Sequence, residues 1–261
     1  MLTMKLDHAG EYISPPRAGI WPCTQMPTPC FYARAFATVF RAALMARHGI
    51  FTDGDWARSS LEIMQSLEAC SVQFNISGMR HITESEGSCV FIANHMSTLE
   101  TFILPTLIVP YLPLTFVVKQ SLIDYPLFKH IMRSRNPVVV QRTNAREDLQ
   151  AVFKQGGERL AQGTSVVVFP QTTRTTTFVP EQFNSIGVKL AKRAGVPIIP
   201  IALKTDAWGN GKMLKDFGAV SPQKKVFIKF GQPLDSGEKT QNLQEEIVSF
   251  IQNNLSRWQS D

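Results

Sequence analysis

A histidine followed five residues later by a carboxylate, His95 and Glu100, is the pair in this sequence best suited to proton transfer. An imidazole exchanges a proton near neutral pH. A carboxylate on its other nitrogen fixes the tautomer and stabilises the imidazolium. The pair lies within Cys89–Pro105, where the apolar run Val90–Ala93 suits a buried strand and Leu99–Val109 suits a helix. His95 therefore falls at a strand-to-helix junction, where α/β sheets commonly bind ligands. Residues five apart on one helix do not face each other, so contact requires His95 ahead of the helix and Glu100 folding back from its first turn. Ser97-x-x-Glu100 is also a capping box, in which Glu100 would only satisfy a backbone N–H. The residues themselves leave both readings open.

Other candidate strands end in cations: Lys119 after Leu114–Val118, Arg142 after Val138–Val140, and Arg174 shortly after Ser165–Phe169. In a mostly parallel sheet the carboxyl ends of strands gather on one edge. That would set an imidazole among guanidinium and ammonium groups, an arrangement suited to a general base acting on a phosphate-bearing substrate. Other chemistries lack their residues. There is no GxSxG elbow, Walker loop or GxGxxG turn. The histidines at 8, 48, 81, 95 and 130 show no HxxxH or HxH spacing, so no metal site is expected. The four cysteines, Cys23, Cys30, Cys70 and Cys89, form no tight CxxC pair, and neither a zinc knuckle nor a disulfide framework is expected.

The elements that must position these residues follow from periodicity. Five prolines between Pro15 and Pro29 mark residues 1–30 as an irregular arm. From Phe31 to Ile50 a helical pattern places Tyr32, Phe36, Val39, Phe40 and Ala43 on one side, with Arg34, Arg41 and His48 opposite. A basic amphipathic helix of this kind can lie in a membrane interface or pack on a core with its arginines in water. A short helix is expected over Asp55–Ser66 and a strand over Ala69–Ile76. Further on, helices are expected over Arg146–Gln162 and Phe183–Ala194, with a break at Gly156-Gly157. Strands are expected at Pro197–Leu203 and Val226–Phe230, and Leu243–Leu255 reads as a C-terminal amphipathic helix. Strands alternating with helices imply an α/β fold with a mixed, largely parallel sheet. The expected division is an N-terminal arm and amphipathic region over 1–66 and an α/β domain over 67–261.

Of the 261 residues, 44% are hydrophobic and 18% charged, with a net charge of +6, which favours anionic partners. No zinc finger, RNP-type motif or dense Lys/Arg run supports nucleic acid. No secretory signal and no window of ~18 apolar residues is visible, so a soluble or peripheral protein in a reducing cytosol is expected.

Taken in order, several blocks resemble the glycerophospholipid acyltransferases, the lysophosphatidic acid acyltransferases and their relatives. Asn94-His95-Met96-Ser97-Thr98-Leu99-Glu100 resembles that family's NHxSxxD block, with Glu for the usual Asp, giving an HX4E motif. Val139-Val140-Gln141-Arg142-Thr143-Asn144 is similar to the second block. Val168-Phe169-Pro170-Gln171-Thr172-Thr173-Arg174-Thr175 resembles the third, FPEGTRS, and Val196-Pro197-Ile198-Ile199-Pro200-Ile201 the fourth. Lys119 ahead of Tyr125-Pro126-Leu127-Phe128 resembles a lysine before a proline-aromatic turn.

The resemblance implies acyl transfer from acyl-CoA or acyl carrier protein to the hydroxyl of a lysophospholipid, foremost 1-acylglycerol 3-phosphate. His95 would be the general base and Glu100 its orienting acid. Lys119, Arg142, Gln171, Thr172, Thr173 and Arg174 would contact substrate. No cofactor beyond the acyl donor is implied, and the protein would rest peripherally on an anionic membrane surface. Gln171 replaces the family's acid and Thr172 its glycine. Those departures point to a reshaped loop and allow other acceptors, glycerol 3-phosphate or a non-phosphate lysolipid, or a lipid- or acyl-carrier-binding protein without turnover.

Overall fold

The computed structural model describes residues 10–259 apart from 17, 127, 172 and 212–214. Strand β3 (Val90–Ala93) is the centre of the fold, and all of its residues are buried. Side chains alternate across a strand. Phe91 and Ala93 accordingly join one hydrophobic cluster, and Val90 and Ile92 join the cluster on the opposite face. Full burial of such side chains contributes about 1.5–3 kcal/mol each. A strand apolar on both faces belongs inside a parallel sheet with helices above and below.

The sheet runs β1-β2-β8-β7-β3-β6-β4-β5. Its strands are β1 (Tyr12–Ile13), β2 (Phe74–Ser77), β3, β4 (Leu114–Lys119), β5 (Val138–Val140), β6 (Ser165–Val168), β7 (Ile198–Lys204) and β8 (Val226–Phe230). From β7 through β3, β6 and β4 to β5 every pairing is parallel, as is β2 on β8. Antiparallel pairing is confined to β1 on β2 and β7 on β8. The mixed, largely parallel α/β sheet expected from the alternation of elements is the one formed.

One face is covered by α1 (Pro27–Arg47), α2 (Asp53–Ala69) and α4 (Leu99–Ile108), which follows the single turn α3 (Arg80–Thr83). Short helices α5 (Gln120–Asp124) and α6 (Phe128–Ser134) close this side beside α1. The other face carries α7 (Ala145–Ala151), α8 (Gly157–Ala161), α9 (Ile186–Ala194) and α10 (Thr240–Trp258). Helix α2 begins at a capping box: Thr52 Oγ1 accepts from Asp55 N at 3.2 Å, and Asp55 Oδ2 accepts from Thr52 N at 3.0 Å.

Several expectations are corrected. The apolar run from Ala69 belongs to the end of α2 and a turn at Ser71, whose φ is 68°, and the strand starts only at Phe74. Position 66, the expected division, falls inside α2, and α1 and α2 share a core with the sheet. The arm is not wholly irregular, because Tyr12–Ile13 adds an edge strand. Gly156-Gly157 does not break its helix. The chain passes through a π turn, Val152–Gly156, into α8, and a Cβ at Gly156 would sit 3.0 Å from Leu190. Glycine there lets α9 approach closely. Cys23 and Cys30 are joined in a disulfide, contrary to the reading from cysteine spacing. Two thiols seven residues apart meet because the arm turns back onto the start of α1, which spacing alone does not reveal.

Candidate active site

His95 lies between β3 and α4, ahead of the helix. Its neighbour Asn94 anchors the junction: the Asn94 amide donates to Leu203 O and accepts from Leu203 N, both at 2.8 Å, stitching the end of β3 to β7. Glu100 sits in the first turn of α4, fully buried, and folds back. Its Oε2 lies 2.5 Å from His95 Nδ1. Its Oε1 accepts from Met96 N at 2.9 Å, Ser97 N at 2.8 Å and Thr205 Oγ1 at 2.5 Å. The two readings of Glu100 are therefore both realised, one on each oxygen. Oε1 caps the helix, and Oε2 takes the imidazole. Ser97 does not complete the capping box; its Oγ accepts from Leu99 N and donates to Thr205.

A buried carboxylate is tolerated only when its lone pairs are satisfied. These donors meet that need, so Glu100 holds its position whether or not His95 carries a proton. A carboxylate on Nδ1 assigns the Nδ1–H tautomer and leaves Nε2 able to accept a proton. The ring is 16% exposed and lies flat on Phe169, centroids 4.3 Å apart at 21°. Phe169 in turn stacks on Phe116.

Block three holds His95 by its backbone. Gln171 Oε1 accepts from His95 N at 2.6 Å, Gln171 Nε2 donates to Thr175 Oγ1 at 3.0 Å, and Thr175 N donates to His95 O at 3.0 Å. Gln171 is 4% exposed. Its amide thus works as an internal brace with a donor and an acceptor both in use, which a carboxylate could not supply. Thr173 Oγ1 accepts from Lys215 Nζ at 3.2 Å. Thr172 lies outside the described residues, as does Leu127 of the proline-aromatic turn.

Arg174 comes to the first block: its Nη1 contacts Thr98 Oγ1 and lies 2.7 Å from Asp216 Oδ1. Arg142 follows β5 with φ 60°, a backbone region few non-glycine residues occupy. Asp148 stabilises that turn by accepting from Gln141 N at 2.8 Å and Arg142 N at 2.9 Å. Lys119 ends β4 and is exposed. The sheet order separates these cations. Arg174 shares a contact with block one, whereas β4 is two strands from β3 and β5 is three. At about 4.8 Å between strands, that puts the Lys119 and Arg142 backbones roughly 10 and 14 Å to the side. The cations share an edge, as expected, but only Arg174 is seated beside the first block.

Residues that sequence reasoning missed include Thr205, Asp216 and the ring of Phe169. Phe169 lies inside a recognised block, and a platform role could have been inferred from it. Thr205 and Asp216 lie beyond the blocks and carry no local signal.

An apolar cleft opens on the α1 side of the sheet, enclosing about 1250 Å³ including its open mouth. Its walls come from α1, α2, α4 and α6, with Val39, Ile63, Phe102 and Ile131 among them. Thr98, Phe116 and Asp216 line it as well, so one end abuts the residues that contact Arg174 and the aromatic stack that carries His95. Among the described residues, no helix is long and apolar enough to cross a membrane.

A family model described as Acyltransferase matches residues 73–204, just over half of the chain. The chain is 30% identical over 152 residues to a 1-acyl-sn-glycerol-3-phosphate acyltransferase of Pseudomonas aeruginosa, covering 58% of this chain and 56% of that protein. It is 38% identical over 117 residues to a probable 1-acyl-sn-glycerol-3-phosphate acyltransferase of Mycoplasma pneumoniae, covering 43% and 42% respectively. The chain thus spans about half the length of these curated relatives. The crystal structure of the 1-acyl-sn-glycerophosphate acyltransferase PlsC from Thermotoga maritima superposes with a TM-score of 0.68 at 18% identity, covering 91% of this chain and 97% of that one, a likeness of fold. With the family model covering residues 73–204, the chain belongs to the acyltransferase family.

Proposed function

We propose that this protein moves a fatty acyl group from an acyl thioester, on CoA or acyl carrier protein, to the hydroxyl of 1-acylglycerol 3-phosphate. The observation that carries the reading is the His95–Glu100 pair, braced on both sides and set beside Arg174 at the end of an apolar cleft. His95 Nε2 takes the proton of the acceptor hydroxyl as its oxygen attacks the thioester carbonyl. The C–S bond then breaks, and the departing thiolate takes the proton back from the imidazolium. Glu100 supports the transient positive charge. The cleft, walled by apolar side chains such as Val39, Ile63, Phe102 and Ile131, receives the acyl chain.

In this reading Arg174 holds the acceptor's phosphate, which competes with Asp216 for the guanidinium, and Arg142 and Lys119 contribute from the outer strands through long side chains. Arg174→Ala raises the KM for a phosphate-bearing acceptor by roughly 10–100-fold, as expected for loss of a charge-assisted hydrogen bond, and leaves a non-phosphate lysolipid unaffected. Steady-state kinetics with both acceptors check this, and equal losses on the two would remove Arg174 from phosphate binding. Arg142→Ala has the same direction and a smaller effect.

The protein works peripherally at an anionic, cytoplasmic membrane surface, with α1 as the contact. Phe36, Phe40 and Leu44 on α1 are exposed at 47%, 56% and 41%, next to Arg41 and Arg47. A helix with exposed aromatics and basic residues suits the headgroup boundary. Phe40→Glu abolishes co-sedimentation with anionic vesicles while the fold persists, because the side chain packs little. Unchanged sedimentation would move the contact elsewhere.

Thiol release from acyl-CoA and from acyl carrier protein, with a panel of lysolipids and glycerol 3-phosphate, tests the whole reading. Preference for glycerol 3-phosphate or a non-phosphate lysolipid would reassign the acceptor. No release with any acceptor, alongside lipid binding, would leave a binding protein of the same fold.

A further inference from the structure

Three of the four cysteines converge outside the site built around His95. Cys23 lies in the arm, Cys30 in the first turns of α1, and Cys70 at the C-terminal cap of α2, and their sulfurs all lie within 4.8 Å of one another. Cys23 and Cys70 are buried and Cys30 partly so. The Cys23–Cys30 disulfide accounts for two of these thiols but not for the third, which packs against it from a helix that starts more than twenty residues further on. The fourth cysteine, Cys89, sits elsewhere, against Ser165.

We propose that, with the disulfide reduced, Cys23, Cys30 and Cys70 form a three-thiolate site for a soft or borderline closed-shell metal ion, of the Zn(II), Cd(II) or Cu(I) class. Reduction by a dithiol breaks the S–S bond and gives two thiols, while the reductant closes to its own disulfide. Metal binding then displaces the thiol protons. Thiolate ligands at about 2.3 Å from zinc place sulfurs about 4 Å apart in a trigonal site, which the observed spacing admits. A donor set of sulfur alone selects soft ions over magnesium or calcium.

Cys70 carries a free thiol beside the disulfide. Its thiol donates to Pro27 O at 3.3 Å. Burial pushes this thiol's pKa up, only partly offset by the Arg34 guanidinium and the Phe31 N–H, so a bound metal must displace its proton. The two states also differ structurally. The disulfide ties the arm to α1 within a short loop, whereas a bound metal would tie the arm, α1 and the end of α2 together. Since α1 carries the exposed aromatic face, the site would fasten that helix to the fold.

The test uses the full chain, reduced by dithiothreitol and handled without oxygen, titrated with Cd(II) and followed by thiolate-to-metal ultraviolet absorption and native mass spectrometry. Competition with a chelator measures Zn(II) affinity. One equivalent should bind to the reduced protein and none to the oxidised protein. Binding should be lost in Cys70→Ser and in Cys30→Ser and kept in Cys89→Ser. Circular dichroism verifies folding, and the half-buried Cys30 variant stands in should Cys70→Ser fail to fold. Absence of stoichiometric binding, full binding by Cys70→Ser, or a disulfide that yields only on unfolding overturns the proposal. None of these readouts depends on acyl transfer.

Discussion

Replacing Glu100 by glutamine lowers kcat by about 10²–10⁴-fold while the protein stays folded, because general-base catalysis of that order depends on the correct imidazole tautomer. Glutamine keeps the shape of the side chain, and its carbonyl oxygen can go on accepting from Met96 N, Ser97 N and Thr205 Oγ1, the partners of Oε1. The change falls on the other atom. Where Oε2 now lies 2.5 Å from His95 Nδ1, the variant presents an N–H donor. That donor favours the tautomer with Nδ1 bare and the proton on Nε2, the nitrogen that must accept one from the acceptor hydroxyl. The variant also lacks the negative charge that stabilises an imidazolium. Thermal unfolding and thiol-release kinetics measured together separate the two roles of Glu100. Near-normal turnover in a well-folded Glu100→Gln would reduce Glu100 to a helix cap. Glu100→Ala, by contrast, leaves several buried donors without a partner at about 1–3 kcal/mol each and loses stability together with activity.

The second expectation is a loss of transfer in His95→Ala, again about 10²–10⁴-fold in kcat, with substrate binding retained. The ring is at the edge of the core, 16% exposed, and its contacts are the Phe169 face and the Glu100 carboxylate. Removing it opens a small gap at the mouth of the site that water can enter to reach the freed Glu100 Oε2, while Oε1 keeps its three donors. The melting temperature should therefore fall by only a few degrees, on the scale of about 1 kcal/mol. Full activity in this variant would refute the base assignment, whatever the fold.

The contrast between Gln171 and Arg142 shows how far local reading reached. Gln171 stands where the resembled FPEGTRS block has an acid, and that resemblance implied a substrate contact; in the fold its amide is buried and braces the His95 backbone through paired hydrogen bonds. Arg142 was expected beside the imidazole because it ends a strand. It does end a strand, on the same edge, but on the outermost one. A strand-end rule says which edge a residue occupies, whereas the lateral order of strands says how far along that edge it lies.

By itself the sequence determined the alternation of strands and helices and the junction that carries His95 ahead of α4; it left Glu100 open between helix cap and imidazole partner, and the fold uses it as both. The alternation and the junction are local matters, governed by side-chain period and capping over a few residues. Only the tertiary structure decided that Thr205, more than a hundred residues on, completes the carboxylate's partners, that Asp216 occupies Arg174, and that Cys70 meets Cys23 and Cys30. Such contacts depend on which strands lie side by side and on how helices from distant segments pack over them. Chain spacing carries no record of either, because the closing segments between are free to vary.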